Sequence, residues 1–531
     1  MLEKLNCYVA KVCVFLITAA LIAGMIGCVP PPSEIHDWYE LDAVRNNLGG
    51  SYILMNDLDS TTAGYEELAS PIANGGMGWQ PIEPVNIQSD WFTGSLDGQG
   101  YEIRDLLINC SSDINDLGAY NVGLFGLVDE GGIVKNVRVI NATVTGRSNV
   151  GGLVGFNYGT VSNSYFSGNV TGNERVGGLV GWNSDTVSNS CATGSINGES
   201  MIGALVGRND RGIVSNSHYN CDEVLINGQS MITIGALFGD DFEEWLANDK
   251  SLHVDDRLSQ EDSYYLVNNV TDFKELLAFG QDASLKYRLT SDLDLANEPG
   301  LYIPYLAGEF DGKGHIISNL SFNSSFVSHV GLFGYLAPGG KVSRMGVESV
   351  NITGDSTVGA LVGINDDGTV STSYSSGDVI GNREVGGLVG SNYGALSNCY
   401  SMATVTGGVE AGGLVGTHLW LGSLNKSYCA GNVTGDERIG GLVGWFLPPP
   451  PTASIDYVSL LSDCFWDIET SGQATSDGGT GKTTAEMQDI ATFSGAAWNI
   501  ITVGGPSERN PAYIWNIFNV VTYPFLSWQA I

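Results

Sequence analysis

The chain has 531 residues, of which 72 are Gly, and its 58 acidic against 23 basic residues give a net charge of -35. A charge of this size and sign argues against nucleic acid or an anionic lipid surface as a direct partner. It favours solubility, and it leaves weak binding of calcium open. The length exceeds what one ordinary hydrophobic core serves, a limit that a stack of repeats avoids because each repeat packs on its neighbours.

Residues 1–28 predict a lipoprotein-type export signal. Lys4 and Lys11 precede a short apolar run that ends in Met25-Ile-Gly-Cys28. This ending resembles a bacterial lipobox, which implies that Cys28 is lipidated and becomes the new N-terminus. An uncleaved membrane anchor and an ordinary signal peptide are the alternatives. In each case we expect export, either to the bacterial cell surface or outer membrane with a lipid anchor, or into the medium. Residues 29–36 predict a Pro-rich tether.

A short Gly-rich motif organises the rest of the chain. Val150-Gly-Gly-Leu-Val-Gly155 returns letter for letter at Val176 to Gly181 and again at Val385 to Gly390. The motif Leu recurs every 26 residues, from Leu153 to Leu179 and on to Leu205. A fixed period of this length indicates a stacked repeat protein.

The stretches between the motifs indicate which kind of stack forms. Thr160-Val-Ser-Asn-Ser-Tyr165 and Gly168-Asn-Val-Thr-Gly172 are short β-branched runs closed by Gly or Asn, which is typical of strands and turns. The repeat has no apolar residues at helical spacing, and it is shorter than the roughly 40 residues of a propeller blade. We therefore predict an all-β fold, a right-handed parallel β-helix with three strands per coil.

Two tandem copies of this unit are predicted. Trp38 and Leu41 lie on one face of an expected helix, and Phe273 and Leu276 repeat them 235 residues later. Such short helices would cap the ends of a stack, which otherwise expose strand edges. The predicted organisation is a first β-helix at 37–240, an acidic linker at 241–264, a second β-helix at 265–463 and a C-terminal cap at 464–531.

The C-terminal cap has its own helix signal. Thr483-Thr-Ala-Glu486 has the spacing of a capping box and predicts a short helix through Met487, Ile490 and Phe493. We expect the aromatic residues that follow to cover the last coil, with an exposed sugar-stacking platform as the alternative; they are Trp498, Trp515, Phe518, Phe525 and Trp528.

Alternation of side chains predicts how the coils pack. On a strand only one of Leu153 and Val154 should face the core. Asn163, Asn189 and Asn216 stand at equivalent places in successive coils. Coils about 4.8 Å apart would allow their amides to hydrogen-bond as a ladder.

These motifs carry a family resemblance. Gly-Gly-Leu-Val-Gly-x-Asn, followed by Gly-x-Val-x-Asn-Ser-Tyr and Gly-x-Val-x-Gly, resembles the GLUG-motif repeat of bacterial surface proteins. The resemblance covers roughly residues 120–240 and 330–470. It implies a β-helix of adhesin-like type at the cell surface, and the motif also occurs beside the catalytic part of some immunoglobulin-A proteases.

The sequence offers little catalytic or metal chemistry, and we predict no catalytic, cofactor-binding or metal-ligating residue. The six His are scattered and no His-Glu-x-x-His occurs. Asp97 and Asp311 fall in repeated Asp-Gly-x-Gly turns, which favours a structural role. Four further acids lack the dense spacing of a calcium loop, namely Asp57, Asp59, Asp292 and Asp294. Gly478 to Thr484 lacks the first Gly of a phosphate loop, since Ser476 stands there.

Six cysteines follow the signal: Cys110, Cys191, Cys221, Cys399, Cys429 and Cys464. Cys191 and Cys221 are about one coil apart, as are Cys399 and Cys429. Disulfides between coils and buried free thiols are both consistent with this spacing in an exported protein.

The expected function is that of a non-catalytic, adhesin-like surface protein that binds an extracellular glycan or a matrix or surface protein. Loops at 218–229, 418–424 and 447–451 vary between coils and would set specificity. The candidate ligand-binding residues are His218, Tyr219, Asp222, Glu223, His418 and Trp420. The alternatives are a polysaccharide lyase or hydrolase of the pectin-lyase-like type and a purely structural spacer.

Overall fold

The computed structural model describes residues 31–83, 91–110, 120–448, 460–505 and 508–529. The chain is mostly β, a parallel β-solenoid of about 12 turns with a few short helices. This confirms the predicted fold class. The predicted signal segment and Cys28 lie outside the described residues. None of the helices described is long and apolar enough to cross a membrane.

One sequence repeat forms one coil, and each coil has three sides. The strands of successive coils pair in parallel, with Val161 opposite Val187 on side one and Phe166 opposite Ala192 on side two. On side three Val154 lies opposite Val180. All three pairs are 26 residues apart, so the register of the sheets is the period of the sequence.

The strands of the first stack, residues 33–237, are grouped by side. Side one contains Ser33–Ile35, Ser51–Leu54, Ser95–Asp97, Ile133–Lys135, Thr160–Ser162, Thr186–Ser188 and Ile213–Ser215. Side two contains Glu102–Arg104, Leu107–Asn109, Arg138–Thr145, Tyr165–Thr171, Cys191–Asn197, Leu225–Ile226 and Gln229–Ser230. Side three is split into two sheets, one of Tyr120–Val122, Ser148–Gly151, Glu174–Gly177 and Ser200–Gly203, the other of Phe125–Val128, Val154–Asn157, Val180–Asn183 and Val206–Asn209. Tyr219–Asn220 pairs with Ala236–Leu237 at the end of the stack.

The strands of the second stack, residues 260–482, are also grouped by side. Side one contains Gln260–Glu261, Tyr264–Val267, Lys286–Leu289, Glu309–Asp311, Lys341–Ser343, Thr369–Ser371, Ala395–Ser397, Ser423–Asn425 and Leu461–Ser462. Side two and its continuation contain Leu293–Asp294, Ile316–Ser318, Ser321–Asn323, Gly346–Thr353, Ser356–Gly359, Tyr374–Gly386, Tyr400–Ser401, Thr404–Gly412, Tyr428–Cys429, Val433–Gly440, Phe465–Asp467 and Thr480–Lys482. Side three contains Ile303–Leu306, Phe333–Leu336, Val362–Asn365, Val389–Asn392, Val415–Leu419 and Val443–Leu447. Ile500–Thr502, Trp515–Ile517 and Phe525–Leu526 form a small separate sheet.

The helices are short and lie at the ends and flanks of the stacks. They are α1 (Trp38–Asp42), α2 (Tyr65–Leu68), α3 (Gly239–Ala247), α4 (Val270–Lys274), α5 (Leu276–Phe279), α6 (Ile468–Ser471), α7 (Thr484–Met487) and α8 (Ile490–Ser494), with 3-10 turns at Ala43–Asn46, Ala73–Gly76 and Val254–Asp256. Trp38 and Leu41 on α1, and Phe273 on α4, are fully or almost fully buried, as the helical pattern predicts. The predicted capping box is present, because Thr483 and Glu486 bond each other's backbone N–H.

The motif places both of its apolar residues in the core. Leu153 and Val154 are each 0% exposed, so the expectation that only one of them faces inward is wrong. The reason is that Gly152 and Leu153 form a bend between two strands, where alternation does not apply. A Cβ on Gly151 would lie 2.2 Å from the carbonyl oxygen of Val154, so this bend requires the absence of a side chain.

Two predicted segments are more ordered than expected. Ser33–Ile35 of the predicted tether pairs as a strand with Ser51–Leu54. The predicted linker at 241–264 contains most of α3, whose Trp245 is 0% exposed. Apolar side chains among the acidic residues explain the order of the predicted linker, because they pack α3 against the first stack.

The two stacks contact each other directly. The Gln281 side chain accepts from Ser217 N–H and donates to the Ser217 carbonyl, each at 3.0 Å. Ser200 Oγ donates to Asp355 at 2.6 Å. Tyr305 and Tyr335, stacked at 5.2 Å on the outside of side three, pack with the core of the first stack. The end of the first stack is thus covered by the side of the second. That the stacks are two copies of one unit stays a prediction.

The C-terminal segment covers a different surface from the one predicted. The end of the last coil is covered by residues 475–476, where Gly441 N–H donates to the Thr475 carbonyl. Trp498, Trp515 and Trp528 of the segment instead pack in a cluster with Tyr374, Tyr400 and Tyr428 on side two. Trp498 and Trp515 are buried there, which excludes them from an exposed sugar-stacking platform.

Candidate functional site

Each coil turns onto side two through a residue with positive φ, here called the corner residue. Examples are Asn163 (φ 49°), Asn216 (φ 43°), Asn398 (φ 54°) and Lys426 (φ 47°). Asn tolerates this left-handed conformation better than most residues, which explains its frequency at the corner. The predicted Asn ladder therefore reflects backbone geometry first. It has one amide rung, from Asn216 Nδ2 to Asn189 Oδ1 at 2.7 Å.

Two residues after each corner, the paired strands place one residue per coil in a line, here called the flank row. In the first stack the row is Arg138, Tyr165, Cys191 and His218. In the second stack it is Gly346, Tyr374, Tyr400, Tyr428 and Phe465. The three tyrosines of the second stack lie face to face, with centroids 4.9 and 5.0 Å apart, because neighbouring coils have this spacing.

The flank row is covered along the second stack and partly open along the first. The C-terminal segment buries Tyr374, Tyr400 and Tyr428. In the first stack α3 and the residues after it cover His218 and Cys191, which are 1% and 3% exposed. A groove of about 760 Å³ remains beside them, here called the flank groove, and it is lined by Asp97, Gln99, Gly100, Asn136, Arg138, Asn163, Tyr165, Cys191, Thr193, Phe242, Leu246 and Lys250.

Tyr165 is held in a fixed position on the floor of the flank groove. Its hydroxyl is 2.9 Å from Thr193 Oγ1. The Arg138 guanidinium lies 5.2 Å from the ring centroid, a cation–π distance, and its Nε is 3.2 Å from Glu102. At the other end Lys250 Nζ donates to the Asn189 carbonyl at 2.7 Å. The groove therefore combines an anchored ring, exposed amides and two cations in a strongly acidic chain.

The ionisable groups of the groove are suited to binding more than to catalysis. Burial opposes ionisation of Asp97, but hydrogen bonds from Asn136 and Gln99 and the nearby Lys135 outweigh it and lower its pKa. Asp97 is thus held as a carboxylate, which is unsuited to a general acid. Burial raises the pKa of Cys191, so it stays a thiol at neutral pH and is a poor nucleophile. Burial also lowers the pKa of Lys250.

Three of the predicted ligand-binding residues are inside the protein. His218, Tyr219 and His418 are at most 1% exposed, so their side chains are not offered to an external ligand. Burial lowers the pKa of His218 to about 3 and that of His418 to about 4, which keeps both rings neutral. These residues belong to the coils themselves, where His418 contacts Asn392 at 3.0 Å. The variable loops begin after them.

The other three predicted residues are accessible but lie apart from the flank groove. Asp222 and Glu223 are exposed and Trp420 is half-buried. Asp222 accepts the N–H of Gly239 at 2.8 Å and so helps to start α3. Their role in ligand binding stays a prediction.

The acids considered for chemistry have structural partners. Asp97 and Asp311 each accept the backbone N–H two residues ahead at 2.9 Å, which supports the turn interpretation. Asp59 and Asp294 do the same, whereas Asp57 and Asp292 accept the backbone N–H groups of Glu102 and Ile316 in the next coil. Among the residues that the structure describes, no group of three or more His, Cys, Asp or Glu side chains could hold a metal ion. All six cysteines are buried, and Cys191, Cys221, Cys399, Cys429 and Cys464 are free thiols.

Sequence patterns alone did not point to Tyr165, Arg138 and Lys250. A signal for Tyr165 was present, since the motif Asn-Ser-Tyr places a ring two residues after the corner Asn. That this position faces outward follows from the corner geometry. Lys250 reaches the groove through the fold of residues 239–250, for which the sequence carries no comparable signal.

Comparisons with known proteins support the repeat assignment. Residues 146–171 and 381–406 match the model of the GLUG motif. The chain is 36% identical over 140 residues to halomucin of Haloquadratum walsbyi, which is 26% of this chain and 1% of that protein. It is 33% identical over 150 residues to a candidate Gly-rich membrane protein of Evansella cellulosilytica, 27% of this chain and 15% of that one. The chain thus spans a small part of each curated relative.

A solved structure also resembles the chain, a candidate immunoglobulin A1 protease from Bacteroides ovatus. The match covers 94% of this chain and 93% of that one at 15% identity, with a TM-score of 0.22. A TM-score this low supports no statement about fold or function. The sequence matches and the stacked coils together lead to one conclusion: the chain is a parallel β-solenoid protein that carries the GLUG motif.

Proposed function

We propose that the chain is a non-catalytic cell-surface protein that binds an extracellular polymer, a glycan or a matrix or surface protein, along the flank groove. The observation that carries this proposal is the open groove at Tyr165. The equivalent surface of the second stack is buried under the C-terminal segment, whereas here an anchored ring and hydrogen-bonding groups face solvent. Concave surfaces lined by aromatic rings and a few placed polar groups are typical of ligand sites.

The location at the surface is part of the proposal. Over about a quarter of its length the chain is similar to each of two relatives, one of which is named as a membrane protein. In this proposal the predicted signal at residues 1–28 directs export, and a lipid at Cys28 holds the chain at the membrane. Incorporation of a labelled fatty acid, lost on Cys28→Ser, tests the anchor.

Binding without turnover is tested on one array of glycans and matrix proteins. Residues 29–531 are applied with and without calcium, and the same wells are assayed for released sugar. We expect retention of the protein and no release. Tyr165→Ser should abolish retention, while Tyr158→Ser, which removes a 42% exposed tyrosine in the bend after Val154–Asn157, should leave it unchanged.

Each other outcome assigns a different function. Released sugar would mean a polysaccharide lyase or hydrolase. Retention that is lost in Asp222→Ala/Glu223→Ala but not in Tyr165→Ser would move the site to the predicted loop. The absence of any retention would favour the remaining alternative, a purely structural spacer.

A further inference from the structure

Tryptophans from other segments cover the rings of the flank row. Trp245 lies edge-on to His218 with centroids 5.1 Å apart. Three tryptophans of the C-terminal segment lie tilted against rings of the second stack: Trp528 on Tyr374 at 5.7 Å, Trp515 on Tyr400 at 6.1 Å and Trp498 on Phe465 at 6.0 Å.

Three of these indoles also bond the corner residue that precedes the ring by two positions. Trp245 Nε1 donates to Asn216 Oδ1 at 2.8 Å, and Trp515 Nε1 donates to Asn398 Oδ1 at 3.3 Å. Trp498 Nε1 donates to the backbone carbonyl of Asp463 at 2.9 Å. The same arrangement therefore recurs in the solenoid: the indole ring packs against a ring of the flank row, and the indole N–H donates to the corner residue.

The flank groove is lined by a corner residue and a ring in the same arrangement. Asn163 is a corner residue with φ 49°, and Tyr165 stands two positions later. The Asn163 side chain is exposed, and within the described part of the chain it forms no side-chain hydrogen bond. The ring of Trp245 pairs with His218 and not with Tyr165. The adjoining wall of the groove is Phe242 and Leu246 of α3, the helix that carries Trp245.

The charge of the groove indicates the kind of segment that fits. The tryptophan that covers the corner Asn216, two coils beyond Asn163, lies in an acidic stretch, with Asp240, Asp241, Glu243 and Glu244 before Trp245. The groove is lined by two cations, Arg138 and Lys250, and by one carboxylate, Asp97; Arg138 also pairs with Glu102 at 3.2 Å. An acidic segment is complementary to these two cations, and it would extend the surface along which α3 already packs.

We propose that the flank groove binds an acidic polypeptide segment of a partner protein through a tryptophan. The indole lies against Tyr165, and its Nε1–H donates to Asn163 Oδ1. This inference rests on the proposed function and narrows the ligand from an extracellular polymer to a protein.

The test uses a synthetic peptide of residues 239–250 as the probe, because that segment already binds a corner of this kind. Fluorescence anisotropy of the labelled peptide is measured against residues 29–531. A second peptide carries Phe in place of Trp, which keeps an aromatic ring and removes the N–H donor. In the protein, Asn163→Gly removes the acceptor and keeps the positive φ. Asn169→Ala, an exposed asparagine of the same strand, is the matched control.

We expect the Trp peptide to bind about fivefold to tenfold more tightly than the Phe peptide, the effect of one net hydrogen bond. Asn163→Gly should lower the affinity for the Trp peptide to that for the Phe peptide. It should leave the affinity for the Phe peptide unchanged, which is the pattern of a direct pair in a double-mutant cycle. Asn169→Ala should change neither value.

Equal affinity of the two peptides, or full binding of the Trp peptide by Asn163→Gly, would overturn the inference. A glycan that binds the array, depends on Tyr165 and is not displaced by the peptide would overturn it too, but would leave the proposed function intact. If the binding of neither peptide and of no array ligand depends on Tyr165, both the inference and the proposed function are wrong.

Discussion

Asn183 donates from Nδ2 to Oδ1 of Asn209 in the next coil at 2.8 Å, and both side chains are buried. Asn157 donates to Asn183 at the same distance, which makes a continuous ladder of three amides. The second stack repeats it from Asn365 to Asn392 at 2.7 Å. These are the asparagines that end Gly-Gly-Leu-Val-Gly-x-Asn, and burial makes each of their bonds costly to break.

The first prediction concerns the middle of this ladder. Asn183→Ala removes the bonds to Asn157 and Asn209 and the bond from Asn183 Nδ2 to the Asp185 carbonyl at 2.9 Å. The remaining buried amides lose partners, so the free energy of unfolding should fall by about 2–4 kcal/mol. Urea unfolding followed by circular dichroism measures it.

Asn169→Ala is the control for the ladder, because Asn169 is an exposed strand residue of a neighbouring side. It should change the free energy of unfolding by less than about 0.5 kcal/mol. Equal effects of the two substitutions would mean that the buried amides contribute no more than surface ones.

Much of the fold could be predicted because the period of the coils is the period of the sequence repeat. The 26-residue spacing of Leu153 and Leu179 is the register of the sheets, and the punctuation by Gly and Asn marks the turns. The packing of Leu153 beside Val154 could not be predicted by alternation, since a bend interrupts the strand there. Local rules succeed where the chain is regular and fail at its corners.

The candidate site was harder to predict because distant segments build it. Trp515 bonds Asn398 across 117 positions, and Lys250 reaches Asn189 across 61. No local sequence pattern predicts contacts between residues so far apart in the chain. His218 and His418 were predicted as loop residues from their place at the start of variable stretches, but the coil extends through them and buries both.

The second prediction tests the bond between Trp245 and its corner. Trp245→Phe keeps an aromatic ring and removes the donor to Asn216, so α3 should be held less tightly. Amide hydrogen exchange within residues 239–250 should become about fivefold faster, the equivalent of one net hydrogen bond. Exchange of Thr369–Ser371 in the second stack provides the internal reference, and an increase there as well would point to global destabilisation instead.

The third prediction concerns a buried carboxylate on the second stack. Glu410 is 0% exposed, with Arg438 at 2.7 Å and Arg383 at 3.2 Å. Arg438→Met keeps much of the side-chain bulk and removes one of the two charges, so we expect a loss of about 1–3 kcal/mol in the free energy of unfolding. Denaturant unfolding measures it.

Glu410→Gln supplies the comparison for this ion pair. In a chain that already carries Glu410→Gln, the Arg438→Met substitution should lower the free energy of unfolding by less than it does in the wild type. The reason is that no buried charge is then left without a partner. Identical costs in both backgrounds would show that Arg438 acts through packing and not through its charge.

The fourth prediction is acid destabilisation by buried histidines. Burial lowers the pKa of His218 and of His329 to about 3, and that of His418 to about 4. In the unfolded chain these groups titrate near 6.5. Below that pH the unfolded state therefore binds protons that the folded state does not, and each histidine should lower the free energy of unfolding by about 1.4 kcal/mol per pH unit until its folded pKa is reached.

Buried acids oppose this trend, so the slope of a variant is more informative than the slope of the wild type. Burial raises the pKa values of Glu384 and Asp366, and these groups favour the folded state as the pH falls. His218→Gln should flatten the dependence of unfolding free energy on pH between 6 and 4 by about 1.4 kcal/mol per unit, whatever its cost at neutral pH. His253→Gln, at an exposed position, should leave the slope as it is. An unchanged slope in His218→Gln would show that His218 takes up its proton without unfolding.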